Sequence, residues 1–207
     1  PFETDGITAF RERPWVVVLP ETVEQVRAIL KISYDHDVPV VTRGAGTGLS
    51  GGARPIRDGI LLTMSKMREV IDVDLDACTA TVEPGVTNLA ISDAVRSHGL
   101  YYAPDPSSQI ACSIGGNVAE NSGGVHCLKY GLTVHNVLGI RVQTIEGKGL
   151  ILGGKTDDSP GYDLLALMMG SEGMLGVVTQ VTVKLLPEPP AQRVLLGVYA
   201  ELSHAGD

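Results

Sequence analysis

The residues able to do chemistry in this sequence are its glycines and the small polar residues between them. Glycine accounts for 25 of 207 positions and gathers in three stretches, 44–52, 115–131 and 170–176. Scattered glycine would mean ordinary turns. Clustered glycine means backbone that takes positive φ or comes very close to a ligand. In the first cluster, Arg43-Gly44-Ala45-Gly46-Thr47-Gly48-Leu49-Ser50-Gly51-Gly52, small residues let consecutive N–H groups converge on one anion, and a phosphate or diphosphate is the fitting guest. The nucleoside-triphosphate loop is excluded, because it needs Lys and Ser/Thr after its last glycine and here Gly52 is followed by Ala53 and Arg54. The dinucleotide pattern G-x-G-x-x-G is met by Gly46, Gly48 and Gly51. That pattern must open a helix, and Gly51-Gly52-Ala53-Arg54-Pro55 opposes one. Two readings stand for the loop alone: a phosphate cradle, or a glycine-rich connection.

The second cluster runs from Pro104-Asp105-Pro106-Ser107-Ser108 through Ser113-Ile114-Gly115-Gly116-Asn117-Val118-Ala119-Glu120-Asn121-Ser122-Gly123-Gly124. It reads as a long loop with almost nothing bulky, ordered by Ile110, Ile114 and Val118. Asn and Ser side chains there could pair with the edge of a flat, hydrogen-bonding ring; Asx and Ser turns are the plainer alternative. In the third cluster, Gly170-Ser171-Glu172-Gly173-Met174-Leu175-Gly176-Val177-Val178-Thr179, Gly170 suits a helix stop. Glu172 could reach a ribose, though a solvated carboxylate is the simpler reading. His126, Lys129 and Tyr130 follow the second cluster and could reach a ligand held there, though structural or surface residues are the simpler reading. His36, His98, His135 and His204 are dispersed without ligand spacing, so no metal site is expected. Cys78, Cys112 and Cys127 form an odd set without C-x-x-C spacing, which argues against a disulfide framework and an iron–sulfur cluster and for a reducing, cytoplasmic compartment.

The elements that must position these clusters alternate between strand and helix. Residues 15–19 read as a strand. Thr22-Val23-Glu24-Gln25 is a capping box opening a helix with Val26, Ile29, Leu30 and Tyr34 on one face, and 38–42 is the next strand. This unit suggests a parallel pair that delivers the chain into the first cluster. Strands are expected at 60–64, 70–73 and 79–82, and a helix over 88–97 ended by Gly99. A hairpin is expected from 137–145 and 149–152, then a helix over 162–169 and a closing strand over 177–186. The division between two lobes is expected near 73–79.

Composition bounds the rest. With 43% hydrophobic residues the chain can bury a real core. A net charge of −8 with scattered basic residues leaves nothing to neutralise a nucleic-acid backbone. No run approaches the roughly eighteen apolar residues of a membrane span. The chain begins at Pro1 without an initiator Met and ends in a polar run, as expected of part of a longer protein.

Taken in order, residues 16–26, 43–52, 104–108, 115–124 and 170–179 resemble the FAD-binding domain of PCMH-type flavoproteins, the vanillyl-alcohol oxidase superfamily. Within it the resemblance is to the branch of glycolate oxidase FAD-binding subunits, D-lactate dehydrogenases and D-2-hydroxyglutarate dehydrogenases. It covers about 15–187. The implied fold is α+β, two α/β lobes with the cofactor between them: a first lobe at 1–75, a second at 76–187, and the start of a C-terminal cap domain at 188–207. The resemblance implies that Gly44, Ala45, Gly46, Thr47, Gly48, Leu49 and Ser50 wrap the FAD diphosphate and that Arg43 is among the cofactor-binding residues. It places Pro104, Asp105, Ser108, Ser113, Gly116 and Asn117 along the flavin and ribityl chain, counts Gly115, Asn121, Gly123 and Gly124 among the cofactor-binding residues, and has Glu172, Gly173 and Val178 complete the cleft. Relatives that link flavin covalently carry His where this chain has Thr47, so non-covalent FAD is implied. The implied reaction takes a hydride from C2 of a small 2-hydroxy acid to flavin N5, with the catalytic base unknown and expected in the cap. Implied partners are further oxidase subunits, including an iron–sulfur subunit, which could attach the protein peripherally to the inner membrane. A nucleotide-binding module using Gly46, Gly48 and Gly51, and a non-catalytic subunit of an oxidoreductase complex, are the alternatives.

Overall fold

The computed structural model describes residues 2–154, 161–191 and 193–206. Two sheets organise it. In the first lobe, β1 (Val16–Val18), β2 (Val40–Arg43) and β3 (Ile60–Thr63) form a parallel sheet in the order β1-β3-β2. The expected parallel arrangement is present, but β1 and β2 are not neighbours: β3 lies between them and pairs with both. This central strand carries the apolar run Ile60-Leu61-Leu62, and Leu61 and Leu62 are fully buried, as a strand covered on both faces requires.

Helix α1 (Val23–Asp35) crosses between β1 and β2. Thr22 caps it, its side chain accepting from the Gln25 N–H. The Gln25 side chain reaches back to the N–H of Glu21 at 2.7 Å, so the reciprocal bond falls one residue earlier than a strict capping box. The helix buries Val26, Leu30 and Ser33. Tyr34, expected on that face, is exposed, because Ser33 takes the inward position and bonds the Ile29 carbonyl at 2.8 Å. Val26 and Leu30 pack with Leu62, Met64, Met67 and Val177.

The second sheet is antiparallel in the order β4-β5-β9-β7-β8, built from β4 (Val70–Asp74), β5 (Thr79–Val82), β7 (Val137–Gln143), β8 (Gly149–Gly153) and β9 (Val177–Lys184). β4 already belongs to it, so the change of sheet falls between β3 and β4, ahead of the division expected near 73–79. The expected closing strand is β9, and it closes the sheet from inside, between β5 and β7. It alternates buried and half-buried residues along its whole length. Its buried residues Val181 and Val183 share one core with Ile91 and Val95 of helix α2 (Asn88–Val95) and with Ile114 and Val118 of helix α3 (Ile114–Glu120), which lies against β9. β9 also joins the lobes: Val177 sits in the first-lobe core, while Val178 packs against the second.

Short elements complete the chain: β6 (Leu100–Tyr101), α4 (Cys127–Tyr130), α5 (Thr133–Asn136), α6 (Leu164–Met168) and β10 (Leu186–Pro187), which pairs with β6. The helix expected over 88–97 runs as α2 and then tightens into a 3₁₀ turn ended by Gly99 at φ 66°. The mixed helix and strand content is that of an α+β fold. No helix among the described residues is long and apolar enough to cross a membrane. Ile91 is fully buried under the sheet and Ile71 is 48% exposed on β4. Ile91→Ala is expected to cost about 2–4 kcal/mol in denaturant unfolding, and Ile71→Ala under about 1 kcal/mol.

Candidate functional site

The three glycine clusters meet in one groove of about 320 Å³ between the lobes. The first-lobe wall is the loop after β2. Residues 44–54 form no helix, so the dinucleotide pattern at Gly46, Gly48 and Gly51 lacks the helix its Rossmann form requires. Gly46 holds φ +74° and Gly51 φ +83°, conformations that favour glycine. Beneath the loop lies Arg43, 8% exposed, whose Nη1 donates to the carbonyls of Thr4 at 2.7 Å and Ala53 at 3.4 Å. Burial lowers its pKa and the nearby Asp5 opposes that shift. Its head is committed to the scaffold, and a Cβ on Gly46 would collide with it.

The floor of the groove is α3. Here the expectation of a long loop is corrected: Ile114–Glu120 is helical, capped by Ser113, whose Oγ accepts from the Gly116 N–H, and closed by Asn121 in the left-handed region at φ 50°. Two glycines make a poor helix by propensity. They are there because side chains would not fit. A Cβ on Gly115 would lie 2.7 Å from Pro84 Cβ, and one on Gly44 would strike Ser113 Oγ and come within 3.4 Å of the Gly116 backbone. Loop and helix therefore touch through bare main chain. The third cluster is fixed to the same helix, the N–H groups of Gly170 and Glu172 donating at 2.9 Å to the carbonyls of Val118 and Ala119.

The sequence-derived residues divide clearly. Arg43, Gly44, Ala45, Gly46, Thr47, Gly48, Leu49, Ser108, Ser113, Gly115, Gly116, Asn117, Glu172, Gly173 and Val178 line the groove. Ser50, Pro104, Asp105, Asn121, Gly123 and Gly124 do not, and most of them brace the wall. The Pro104 carbonyl accepts from Asn88 Nδ2 at 3.0 Å, and Asn121 Oδ1 accepts from the Val134 N–H at 3.0 Å. Asp105 holds His126, Oδ2 to Nδ1 at 2.6 Å, and lies against Gly124 so closely that a Cβ there would come within 2.5 Å of the Asp105 carbonyl. Tyr130 meets Tyr101 edge to face, ring centroids 6.3 Å apart; the pKa of Tyr101 is raised first by burial, while the Tyr101 and Lys129 contacts lower that of Tyr130. His126, Lys129 and Tyr130 are not among the lining residues.

Sequence reasoning missed Thr42, Met64, Pro84, Glu120 and Met168 on the lining. Pro84-Gly85 offered a signal: Gly85 faces the carbonyls of Met64 and Met67, leaving no room for a side chain. Met64 and Met168 carry no signal that separates them from core. Glu172, at φ 53°, turns its carboxylate to Gly52, where a Cβ would be 2.8 Å from Oε2.

The groove suits a long ligand with a diphosphate and a flat polar ring. At Gly44, Gly46 and Gly52 its wall has no room for a Cβ. Asn117, 2% exposed on α3, keeps a buried Nδ2 without a partner, an unmet donor of the kind a bound group satisfies. Fold and site thus define a two-lobed dinucleotide-binding domain. A family model described as FAD binding domain matches residues 14–153, and the chain belongs to that family, with FAD as its cofactor. It is 64% identical over 206 residues to glycolate oxidase subunit GlcD of Escherichia coli (strain K12), covering 100% of this chain and 41% of that protein. It is 42% identical to the subunit of the same name in Bacillus subtilis (strain 168), covering 99% and 44%. Against a D-lactate dehydrogenase of Archaeoglobus fulgidus the identity is 44%, covering 87% and 41%. A solved alkyldihydroxyacetonephosphate synthase superposes with a TM-score of 0.76 at 26% identity, over 84% of this chain and 32% of that one. The chain spans less than half the length of these curated relatives.

Gly44→Val is expected to lower FAD affinity at least about tenfold, because it drives apart loop and helix. Gly51→Ala meets nothing within 4 Å, so its expected cost is about 1–2 kcal/mol of backbone strain with affinity kept. Flavin fluorescence titration and thermal unfolding of both variants check the pair.

Proposed function

We propose that this chain is the FAD-binding part of a flavin-dependent 2-hydroxy-acid dehydrogenase or oxidase acting on a small substrate of the glycolate or D-lactate type. The convergence of all three glycine segments on one groove carries the reading, and the names of the relatives supply its substrate class. FAD, when bound, supplies the two-electron acceptor for oxidation of a CH–OH group to a carbonyl. The main-chain amides of residues 44–49 hold the diphosphate, and Ser108, Ser113, Gly116 and Asn117 hold the ribityl chain and ring. Glu172, Gly173 and Val178 close the far end. Leu49, Val118, Met168 and Val178 exclude water along the groove, which strengthens every polar contact inside it. Thr47 at the position of covalent attachment supports FAD held without a covalent bond.

The groups that bind substrate carboxylate and take the hydroxyl proton belong, on this reading, to a cap domain that begins at about residue 188. Support comes from Val194, Leu195, Leu196 and Val198, each at least 88% exposed, an apolar run that calls for a covering partner. We also propose that further oxidase subunits, an iron–sulfur subunit among them, accept the electrons, and that the protein is cytoplasmic or attached to the inner membrane only through them.

The full-length protein is expected to purify yellow, to release its flavin on acid precipitation, and to lose its 450 nm absorbance under anaerobic mixing with glycolate or D-lactate. Flavin that stays with the precipitate would contradict non-covalent binding. A flavin spectrum unmoved by any 2-hydroxy acid would contradict the substrate class.

A further inference from the structure

Three consecutive residues end α3, and between them they hold the other two glycine segments. The carbonyls of Val118 and Ala119 bind the third cluster. Glu120 faces the other way, across the groove. Its Oε2 accepts the hydroxyl of Ser50 at 2.7 Å, from a residue 70 positions earlier in the chain. Its Oε1 stands 3.4 Å from where Cβ atoms on Gly48 and Gly52 would lie. Among the described residues this is the only side-chain hydrogen bond that joins loop 44–52 to α3. Glu120 lines the groove and Ser50 lies just outside it.

A carboxylate is the wrong charge to touch a diphosphate, since like charges at such range repel. What a carboxylate does well is accept a hydroxyl strongly. Loop 44–52 has neither helix nor strand to stiffen it, and ordering free backbone costs about 1–2 kcal/mol per residue. A loop already fixed in place spares the ligand that cost and holds it longer.

We propose that Glu120 and Ser50 form a latch that fixes the glycine loop of the first lobe on α3 and so sets how fast the bound flavin dinucleotide leaves. Glu120 is a positioning residue: it acts on the loop, and the loop acts on the ligand. The proposal rests on the FAD reading above. It also explains a carboxylate on the wall of an anion site, which direct ligation would not.

The test is the FAD dissociation rate of the full-length protein, followed by recovery of flavin fluorescence on dilution. Glu120→Ala and Ser50→Ala are each expected to speed release about three- to tenfold, the range of one lost hydrogen bond at an exposed position. The double variant should release no faster than the faster single one, because the two side chains make one interaction. Glu120→Gln, whose amide oxygen still accepts the hydroxyl, should stay within about twofold of wild type. Release from Glu120→Ala at the wild-type rate, or multiplied effects in the double variant, would overturn the latch. So would a fall in the thermal midpoint of the flavin-free variants that accounts for the faster release, since Glu120 would then support the fold at large. A wild-type protein that takes up no FAD would overturn the cofactor reading itself.

Discussion

Close approach of main chain to main chain at the groove floor is the constraint on which the rest of the structure depends. Gly115 donates its N–H to the Pro84 carbonyl at 2.9 Å, Ile114 donates to Val86 at 2.8 Å, and Gly44 faces Ser113 across a gap no side chain could occupy. A seven-residue helix with two glycines is too short and too poor in propensity to stand alone. Tertiary packing keeps it, with Ile114 and Val118 fully buried against Val181 and Val183 of β9. The apolar side of α3 anchors it to the five-stranded sheet, and the bare side lets three separated segments share one groove.

Much of this was legible because the governing signals are local. Apolar alternation placed β9 within two residues, and Thr22 and Gly99 marked helix ends through capping chemistry and positive φ. The position of β3 between β1 and β2 was not legible, since strand order in a parallel sheet depends on which run is buried on both faces. Nor was α3: glycine and asparagine point away from helix, and only contact with the 84–86 turn explains why they are used in one. Tyr34 was misplaced because Ser33 satisfies its hydroxyl within the helix and turns inward.

The site was legible to the extent that backbone does the work. Residues 44–49, 115–117 and 172–173 were all marked by glycine, and all line the groove. Pro104, Asp105, Asn121, Gly123 and Gly124 carry the same signature for another reason: they pack against Asn88, His126, Val134 and Leu132 behind the wall. Composition cannot separate a glycine that admits a ligand from one that admits a neighbouring strand of chain. Met64, Pro84 and Met168 show the converse, since apolar groove lining looks like core until the groove is seen.

Hydrogen–deuterium exchange on the full-length protein, stripped of flavin and then reconstituted with FAD, tests the shared groove most directly. The amides of 44–49, 113–119 and 170–178 should gain protection together at one FAD concentration. Protection confined to one of those segments, with the other two exchanging as before, would contradict a single site built from all three.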